Sequence, residues 1–293
     1  MPVLKANWRD FLALTKPRII ELLLVTTVPT MVMAAGGWPD VTVAIATLLG
    51  GALAAAGANV LNCYIDADID ALMPRTAHRA TATGLISLRT TVVFGLILSL
   101  MSTAVLALFT NGLAASLAAL AIIFYVGIYS LLLKRRTSQN IVWGGIAGCF
   151  PVVIGWSAVT GSLSWQPLVL FLVVFWWTPP HYWPLSIRYR EEYAAAQVPM
   201  LPVVATDLTV SRQIIIYSWI MVATSLLLWP ATGWVYRAVA VLAGAWFVAQ
   251  AHVLRKSVLA GIASSKPAMR LFHGSITYLS LVFLAVGIDP FVS

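Results

Sequence analysis

The chain has 293 residues, of which 60% are hydrophobic and only 10% are charged, and its net charge is +8. Soluble domains carry roughly 25% charged residues, so this composition excludes an ordinary water-facing surface and predicts an integral membrane protein. Because no soluble portion could present a basic groove, the positive charge does not indicate a nucleic-acid partner. Cys63 and Cys149 lack the spacing of a metal or redox site and are expected to be buried free thiols.

Apolar runs of the length that a hydrocarbon core requires, about 20 residues, recur along the chain. They are continuously apolar rather than alternating, which favours helices over a barrel. We predict an all-α, polytopic membrane protein with nine transmembrane helices in a single domain over residues 1–293, of which 1–18 form a short cytoplasmic segment. The predicted spans are 19–36, 41–63, 91–109, 112–133, 141–160, 166–186, 213–230, 234–253 and 271–288.

The connections between these spans alternate in charge and length. Residues 36–40, 110–112 and 160–166 are short and carry no Lys or Arg, so the flanking helices should form antiparallel hairpins. Nearly all cations lie on the other side, and Arg237 is the exception. The positive-inside rule then predicts a cytoplasmic N-terminus, a plasma-membrane location, a candidate site that faces the cytoplasm, and attraction of this face to membrane lipids with anionic headgroups.

Three of the ten acidic residues, Asp66, Asp68 and Asp70, crowd at the cytoplasmic end of the second span. If the helix continues to about residue 72, Asn62, Asp66 and Asp70 share one face at intervals of about 6 Å, with Asn59 one turn earlier and Asp68 elsewhere. Carboxylates at i and i+4 repel each other unless a cation lies between them. Oxygen ligands suit Mg²⁺, so Asn62, Asp66 and Asp70 are predicted to hold magnesium.

Basic side chains follow these acids. Arg75 and Arg79 come directly after them, and guanidinium groups bind phosphate oxygens in bidentate fashion. Lys134 is predicted to reach the same phosphate, although it could equally be a topological anchor. Carboxylates and cations at a membrane surface indicate an amphiphilic diphosphate with its tail in the bilayer. Further candidates on this face are Arg18 and Tyr189.

A second cluster follows the sixth span. His181 comes after two prolines in an aromatic stretch, where a histidine is more often a packing residue than a ligand. Glu192, or its neighbour Glu191, could hold a second cation across the diphosphate. The alternative is that these two acids pair with Arg188 and Arg190 on a solvated turn.

The segment Asn62-x-x-x-Asp66-x-x-x-Asp70 resembles the first aspartate-rich motif of the intramembrane aromatic prenyltransferase superfamily, whose members have nine helices. Its extension through Arg75 and Arg79 is similar to the heme-farnesylating branch. Dense similarity covers residues 10–205, in the segments 16–18, 134–145, 155–161, 180–183 and 192–204. The sequence departs from that branch at Ala80, where Pro is usual, and at Gln197-Val198, where Gly is usual.

The resemblance implies transfer of a farnesyl group from farnesyl diphosphate to heme b, with addition of water, to give heme O and diphosphate. It also implies Mg²⁺ as cofactor, Asn62, Asp66, Asp70 and His181 in catalysis, and a heme A synthase as a possible downstream partner. His181 is the candidate for contacting heme or assisting the water.

Two alternatives remain open. A prenyltransferase of a quinone precursor such as 4-hydroxybenzoate shares the first motif. Two features of this chain separate it from that enzyme, namely the Pro180-His181 segment and the absence of paired aspartates after span six. A cation-coupled transporter could use Asp66 and Asp70 as an ion site. It would place these acids near the bilayer midplane on broken helices, whereas here they are predicted at the cytoplasmic edge.

Overall fold

The computed structural model describes residues 6–262 and 264–292, apart from the side chains of residues 18, 19 and 21–23. Within these ranges the chain is helical and contains no strand, so the all-α fold class is confirmed. The helices are α1 (Trp8–Thr15), α2 (Pro17–Ala35), α3 (Val41–Ile65), α4 (Ala67–Leu72), α5 (Leu88–Phe109), α6 (Gly112–Ile123), α7 (Asn140–Gly144), α8 (Ile146–Thr160), α9 (Trp165–Arg188), α10 (Arg190–Ala195), α11 (Leu201–Val204), α12 (Asp207–Leu226), α13 (Trp234–Leu259) and α14 (Ser265–Ile288). A π-helix over Phe124–Leu133 prolongs α6, and 3₁₀ turns occupy Trp229–Ala231 and Asp289–Phe291.

Each of the nine predicted spans falls on a long helix or on two consecutive helical segments, which are α6 with the π-helix for span 112–133 and α7 with α8 for span 141–160. With consecutive segments joined, seven helical stretches of the described residues are long and apolar enough to cross a membrane. The other two predicted spans lie on α2, whose apolar stretch is Leu24–Ala35, and on α9, whose mean hydropathy is reduced by three prolines and several aromatic residues. Nine crossings therefore stay a prediction for this chain.

The short connections join neighbouring helices as expected. Helix α2 ends at Ala35, five residues before Asp40, the N-cap residue of α3. The Asp40 side chain accepts a hydrogen bond from the Val43 amide at 3.0 Å. The α5–α6 connection is equally tight, because Asn111 caps α6 and donates to the Ser157 carbonyl at 2.7 Å. The hairpins thus bring alternate helix ends to the same end of the bundle.

Close backbone approach holds α3 against α5. A Cβ added at Gly57 would lie 2.5 Å from Ser99 Oγ, and one added at Gly95 would lie 2.7 Å from Leu61. Ser102 Oγ also donates across the pair to the Gly50 carbonyl at 2.7 Å. Small residues and serine hydroxyls serve this purpose in membrane helices, where lipid offers no hydrophobic drive for association. This packing fixes the end of α3, which carries the aspartates.

The larger core cluster lies among α9, α12, α13 and α14. Its fully buried aromatic residues are Trp183, Tyr236, Tyr278, Phe247 and Phe283. A second cluster joins α3, α5, α6 and α8. Large apolar side chains such as Leu100, Leu108 and Leu242 instead point outward, as lipid-facing residues do.

The chain reverses between α10 and α11 through a left-handed residue. Gln197 has φ of +53° and is exposed, and its position is one of those at which the sequence departs from glycine. A non-glycine residue in this region carries a cost of about 1–2 kcal/mol.

Replacing Gln197 by Gly is therefore expected to stabilise the fold. The relief of strain exceeds the extra entropy of glycine in the unfolded chain, so we expect a gain of about 0.5–1 kcal/mol, measured by thermal unfolding in detergent. Gln197→Ala is the matched control, because alanine keeps the Cβ and should give no gain. Equal stabilisation by both variants would show that loss of the Gln side chain, not backbone strain, is responsible.

Candidate active site

The aspartate cluster lies where α3 ends and α4 begins. Asp66 forms the junction, with φ of −92° and ψ of 3°. Hydrogen bonds at one-turn spacing nevertheless continue through it, from Asp66 N to the Asn62 carbonyl at 2.9 Å and from Asp70 N to the Asp66 carbonyl at 2.8 Å. Asn62, Asp66 and Asp70 therefore follow one another by one turn, and all three side chains are buried.

Each buried carboxylate has a cationic partner. Lys134 Nζ forms an ion pair with Asp66 Oδ2, and Arg79 donates to Asp70 Oδ2 at 2.6 Å. The repulsion expected between the two acids is thus offset by side chains of the protein itself. Lys134 and Arg79, which the sequence predicts as phosphate ligands, contact the carboxylates in this conformation.

Asn62 connects the acids to the N-terminal segment. Its amide nitrogen donates to Asp66 Oδ2 at 2.7 Å and to Ser130 Oγ at 3.0 Å, and its oxygen accepts from Lys16 Nζ at 2.8 Å. One lone pair of that oxygen is therefore used by Lys16 and one remains. Asn59, one turn earlier, donates to the Thr15 carbonyl at 3.0 Å and so anchors α1 above the site.

Lys16 is a site residue that the sequence interpretation missed. It lies between α1 and α2 with φ of +54°, a left-handed conformation that is unusual for lysine and that turns the side chain toward Asn62. Burial lowers the pKa of Lys16 below its usual value. Its position before Pro17 in the Lys-Pro-Arg segment was the only signal in the sequence, and non-glycine residues in strained conformations cluster at functional sites.

Asp68 points away from the cluster, as predicted. Its carboxylate accepts two hydrogen bonds from Arg135, at 2.6 and 2.7 Å, and these bonds hold the pKa of Asp68 below its usual value. Its side chain is 65% exposed, so the pair lies outside the buried site.

The π-helix places aromatic rings and Ser130 beside the acids. Ser130 Oγ donates to the Tyr125 carbonyl at 2.9 Å, five residues back, and Lys134 N donates to the Tyr129 carbonyl at 2.9 Å. The Tyr129 ring lies directly over Gly144, where an added Cβ would be only 2.2 Å from Cδ2. π-helical segments are often found at functional sites, and here the wider turn brings Lys134 onto Asp66.

The residues after α9 form the other side of the site. Arg75 lies 5.3 Å from the centroid of the Tyr189 ring, and it has no carboxylate partner among the described residues. The hydroxyl groups of Tyr182 and Tyr193 lie 3.1 Å apart. The guanidinium of Arg75, unlike that of Arg79, is thus free of a carboxylate partner within this part of the chain and available to a ligand.

The alternative in which Glu191 and Glu192 pair with Arg188 and Arg190 finds no support among the ion pairs of the described residues. Arg190 instead pairs with Asp207 at the start of α12, and Asp207 also accepts from Ser264 at 2.7 Å. Glu192 Oε2 is buried without a hydrogen-bond partner. Arg190 binds Asp207, 17 residues further along the chain, instead of a glutamate of its own turn. The side chain of Arg18 lies outside the described residues.

His181 lies on α9 between two aromatic rings. Its ring stacks on Trp177, with centroids 4.1 Å apart, and on Phe272, with centroids 4.7 Å apart. Nδ1 lies 2.7 Å from Ser275 Oγ. The histidine is therefore oriented by contacts from both α9 and α14. Cys63 and Cys149 are buried free thiols, as predicted.

The buried acids fit a magnesium site in their chemistry. Asp66 Oδ1 is buried and has no hydrogen-bond partner, although Lys134 binds the other oxygen of this carboxylate, and such an unpartnered buried oxygen is suited to a cation. No group of three or more His, Cys, Asp or Glu side chains suitable for a metal occurs in the described part of the chain. Mg²⁺ however commonly uses one or two carboxylates and completes its shell with substrate phosphates.

Comparison with known proteins gives the family. A model of the UbiA prenyltransferase family matches residues 23–276. The chain belongs to this family. A protein of Streptomyces avermitilis named protoheme IX farnesyltransferase is 56% identical to it over 290 residues, which cover 98% of this chain and 95% of that protein.

Solved structures of UbiA-type enzymes share the fold. A digeranylgeranylglyceryl phosphate synthase has a TM-score of 0.74 at 17% identity and covers 96% of this chain and 98% of its own. A UbiA homologue from Archaeoglobus fulgidus, bound to DMAPP and Mg²⁺, has a TM-score of 0.68 at 16% identity and covers 95% and 99%. A metal and a prenyl diphosphate therefore bind together in a UbiA homologue of the same fold.

Proposed function

We propose that this UbiA-family enzyme transfers a farnesyl group from farnesyl diphosphate to a vinyl group of heme b, adds water, and releases heme O and diphosphate. The similarity to a protoheme IX farnesyltransferase over nearly the whole chain carries this proposal. The geometry supports it, because two buried carboxylates and several cations lie together at one end of an apolar helical bundle.

The donor site is proposed at the end of α3. Arg75, Arg79 and Lys134 bind the diphosphate, and Asp66, Asp70 and Asn62 would hold Mg²⁺, which would supply further positive charge to the leaving diphosphate. The arginines and the lysine stabilise the same charge as the allylic C–O bond breaks. The free guanidinium of Arg75 and the buried, unpaired Oδ1 of Asp66 support these two roles.

Attack by the heme follows from the positive charge left on the farnesyl group when the C–O bond breaks. The electron pair of a heme vinyl group attacks the farnesyl cation, and the new cation beside the porphyrin takes up water and loses a proton to form the hydroxyl group. Tyr125 and Tyr129 interact electrostatically with Asp66, and both belong to the π-helix that carries Ser130 onto Asn62, so their rings can exclude bulk water from the farnesyl cation. Tyr189 and Glu192 border this side of the site, and Arg18, at the mouth of α2, is retained as a candidate from sequence alone.

The same proposal places the enzyme in the plasma membrane with nine spans, its N-terminus and its site on the cytoplasmic side. The excess of Lys and Arg at the aspartate end of the bundle supports this orientation. Anionic lipid headgroups would then border the site, and a heme A synthase is a possible recipient of the product.

The decisive experiment is chromatography of hemes extracted from membranes of cells that express the chain. We expect a later-eluting farnesylated heme that cells with an empty vector lack. Membranes supplied with farnesyl diphosphate and 4-hydroxybenzoate provide the second arm. A prenylated benzoate and no new heme would favour the quinone-precursor enzyme. Proton- or sodium-dependent solute uptake without farnesyl diphosphate would favour the transporter.

Replacing Arg75 by Gln is expected to raise the KM for farnesyl diphosphate by about tenfold to a hundredfold, because a charge-assisted hydrogen bond to phosphate contributes about 1.5–3 kcal/mol. Initial rates at varied donor concentration measure the effect. The matched control is Arg89→Gln, an exposed arginine at the start of α5, which should leave the KM unchanged. An unaltered donor KM in the Arg75 variant would remove that residue from the diphosphate site.

A further inference from the structure

The hydrogen bonds around His181 determine which of its ring nitrogens carries the proton. Ser275 Oγ lies 2.6 Å from the Phe272 carbonyl oxygen and 2.7 Å from His181 Nδ1. A carbonyl oxygen only accepts, so the single hydroxyl proton of Ser275 is donated to Phe272. Ser275 Oγ must then accept the bond from His181, and Nδ1 carries the hydrogen.

The other ring nitrogen is left with a free lone pair. In a neutral imidazole whose Nδ1 is protonated, Nε2 is unprotonated. Nε2 makes no hydrogen bond within the described residues, and His181 as a whole is only partly buried. The structure therefore presents one unprotonated ring nitrogen, with a lone pair that could bind a metal, at this position.

The rest of the ring is fixed on both faces. Trp177 and Phe272 stack on it at interplanar angles of 14° and 26°. The Trp177 indole N–H donates to the Ser275 carbonyl at 2.8 Å, and Ser275 is fully buried. The imidazole can neither rotate freely nor exchange its Nδ1 partner, so only the Nε2 edge remains open.

We propose that His181 Nε2 is the axial ligand of the iron of the heme b substrate and that Ser275 is the positioning residue that keeps the imidazole in this form. The proposal rests on the heme-farnesylating function proposed above. An imidazole whose far N–H is engaged by an oxygen atom is the usual form of a metal-bound histidine, because that bond sets ring orientation and basicity. Helix α9 packs beside the donor site, because a Cβ added at Gly145 would lie 2.9 Å from Thr178 and the adjacent Gly144 lies against the Tyr129 ring, so iron ligation would hold the porphyrin close to that site.

Two porphyrins test the assignment in the purified full-length protein. Heme b binding is followed by absorption and resonance Raman spectroscopy, and metal-free protoporphyrin IX serves as the probe without iron. In His181→Phe, which keeps an aromatic ring between Trp177 and Phe272, we expect loss of the iron–imidazole signature and weaker heme b binding. Protoporphyrin IX should bind this variant as tightly as the wild type. Added imidazole should restore the nitrogen-ligand spectrum.

Ser275→Ala should keep the histidine ligand but lower the iron–nitrogen stretching frequency and weaken heme b binding about tenfold, in the range that removal of such supporting bonds causes. Ser218→Ala is the matched control, because the Ser218 hydroxyl is buried and donates only to the Ile214 carbonyl of its own helix. It should change neither quantity.

An unchanged spectrum in His181→Phe would overturn the iron ligand. Equal loss of heme b and protoporphyrin IX binding in that variant would also overturn it, since the histidine would then act only by packing. Either outcome leaves the proposed function intact if the wild type still forms heme O. Absence of heme O with a well-folded wild type would instead reject the proposed function.

Discussion

The Asp66→Asn variant is expected to insert and fold but to lose farnesyl transfer, with turnover lowered about a thousandfold or more. Asparagine has nearly the same shape as aspartate but lacks the charge that would hold a cation at the buried Oδ1 atom. Lys134, which is partly accessible to water, can tolerate the loss of its partner. Turnover of farnesyl diphosphate and heme b by the purified protein measures the effect.

Asp68→Asn is the control for this substitution. Asp68 lies two residues away on an exposed face and pairs with Arg135, so the same chemical change there should leave turnover close to the wild-type value. Wild-type turnover in Asp66→Asn would contradict the metal-site assignment. Equal loss in both variants would mean that the charge of the whole face, rather than the buried pair, is required.

The Lys134→Met variant is expected to be strongly destabilised, by about 3–5 kcal/mol, because it leaves the fully buried Asp66 carboxylate without its cation. Combining it with Asp66→Asn removes both charges and should recover most of the lost stability without restoring turnover. Unfolding in detergent and the yield of monodisperse protein report the stability of each variant.

Arg135→Met tests whether this effect depends on burial. Arg135 is adjacent in sequence but pairs with the exposed Asp68, and surface ion pairs contribute only about 0–1 kcal/mol. We expect little change in this variant. If the Lys134 and Arg135 variants were destabilised equally, removal of any cation from this segment would explain the loss. If the double variant were no more stable than Lys134→Met alone, the buried charge would not be its cause.

Local sequence patterns were enough to predict the parts of the molecule that depend on local geometry. The hairpins followed from short connections, and the order of Asn62, Asp66 and Asp70 followed from helical periodicity, which persists across the junction at Asp66. The spacing after the acids predicted Arg79 as a phosphate ligand, and Lys134 was predicted to reach the same phosphate; in the structure both contact the carboxylates. Their direct pairing with the carboxylates could not be deduced without a packed structure.

The partners that were missed lie far apart in sequence. Lys16 reaches Asn62 across 46 residues, Ser130 reaches it across 68, and Ser275 contacts His181 across 94. A uniformly apolar stretch has no periodicity by which a π-helix could be told from an α-helix, so the position of Tyr129 and Lys134 was also not predictable. Such contacts depend on which helices pack together, and one sequence contains no direct record of that packing.

The ion pairs at the candidate site have a consequence for the release of product. Arg75, Arg79 and Lys134 outnumber Asp66 and Asp70 by one positive charge, so the site attracts any diphosphate, with or without a prenyl chain. The cations that draw in the donor also retain the leaving group after the bond has broken. Inorganic diphosphate should therefore compete with farnesyl diphosphate, and its departure, rather than bond cleavage, can limit the rate of turnover.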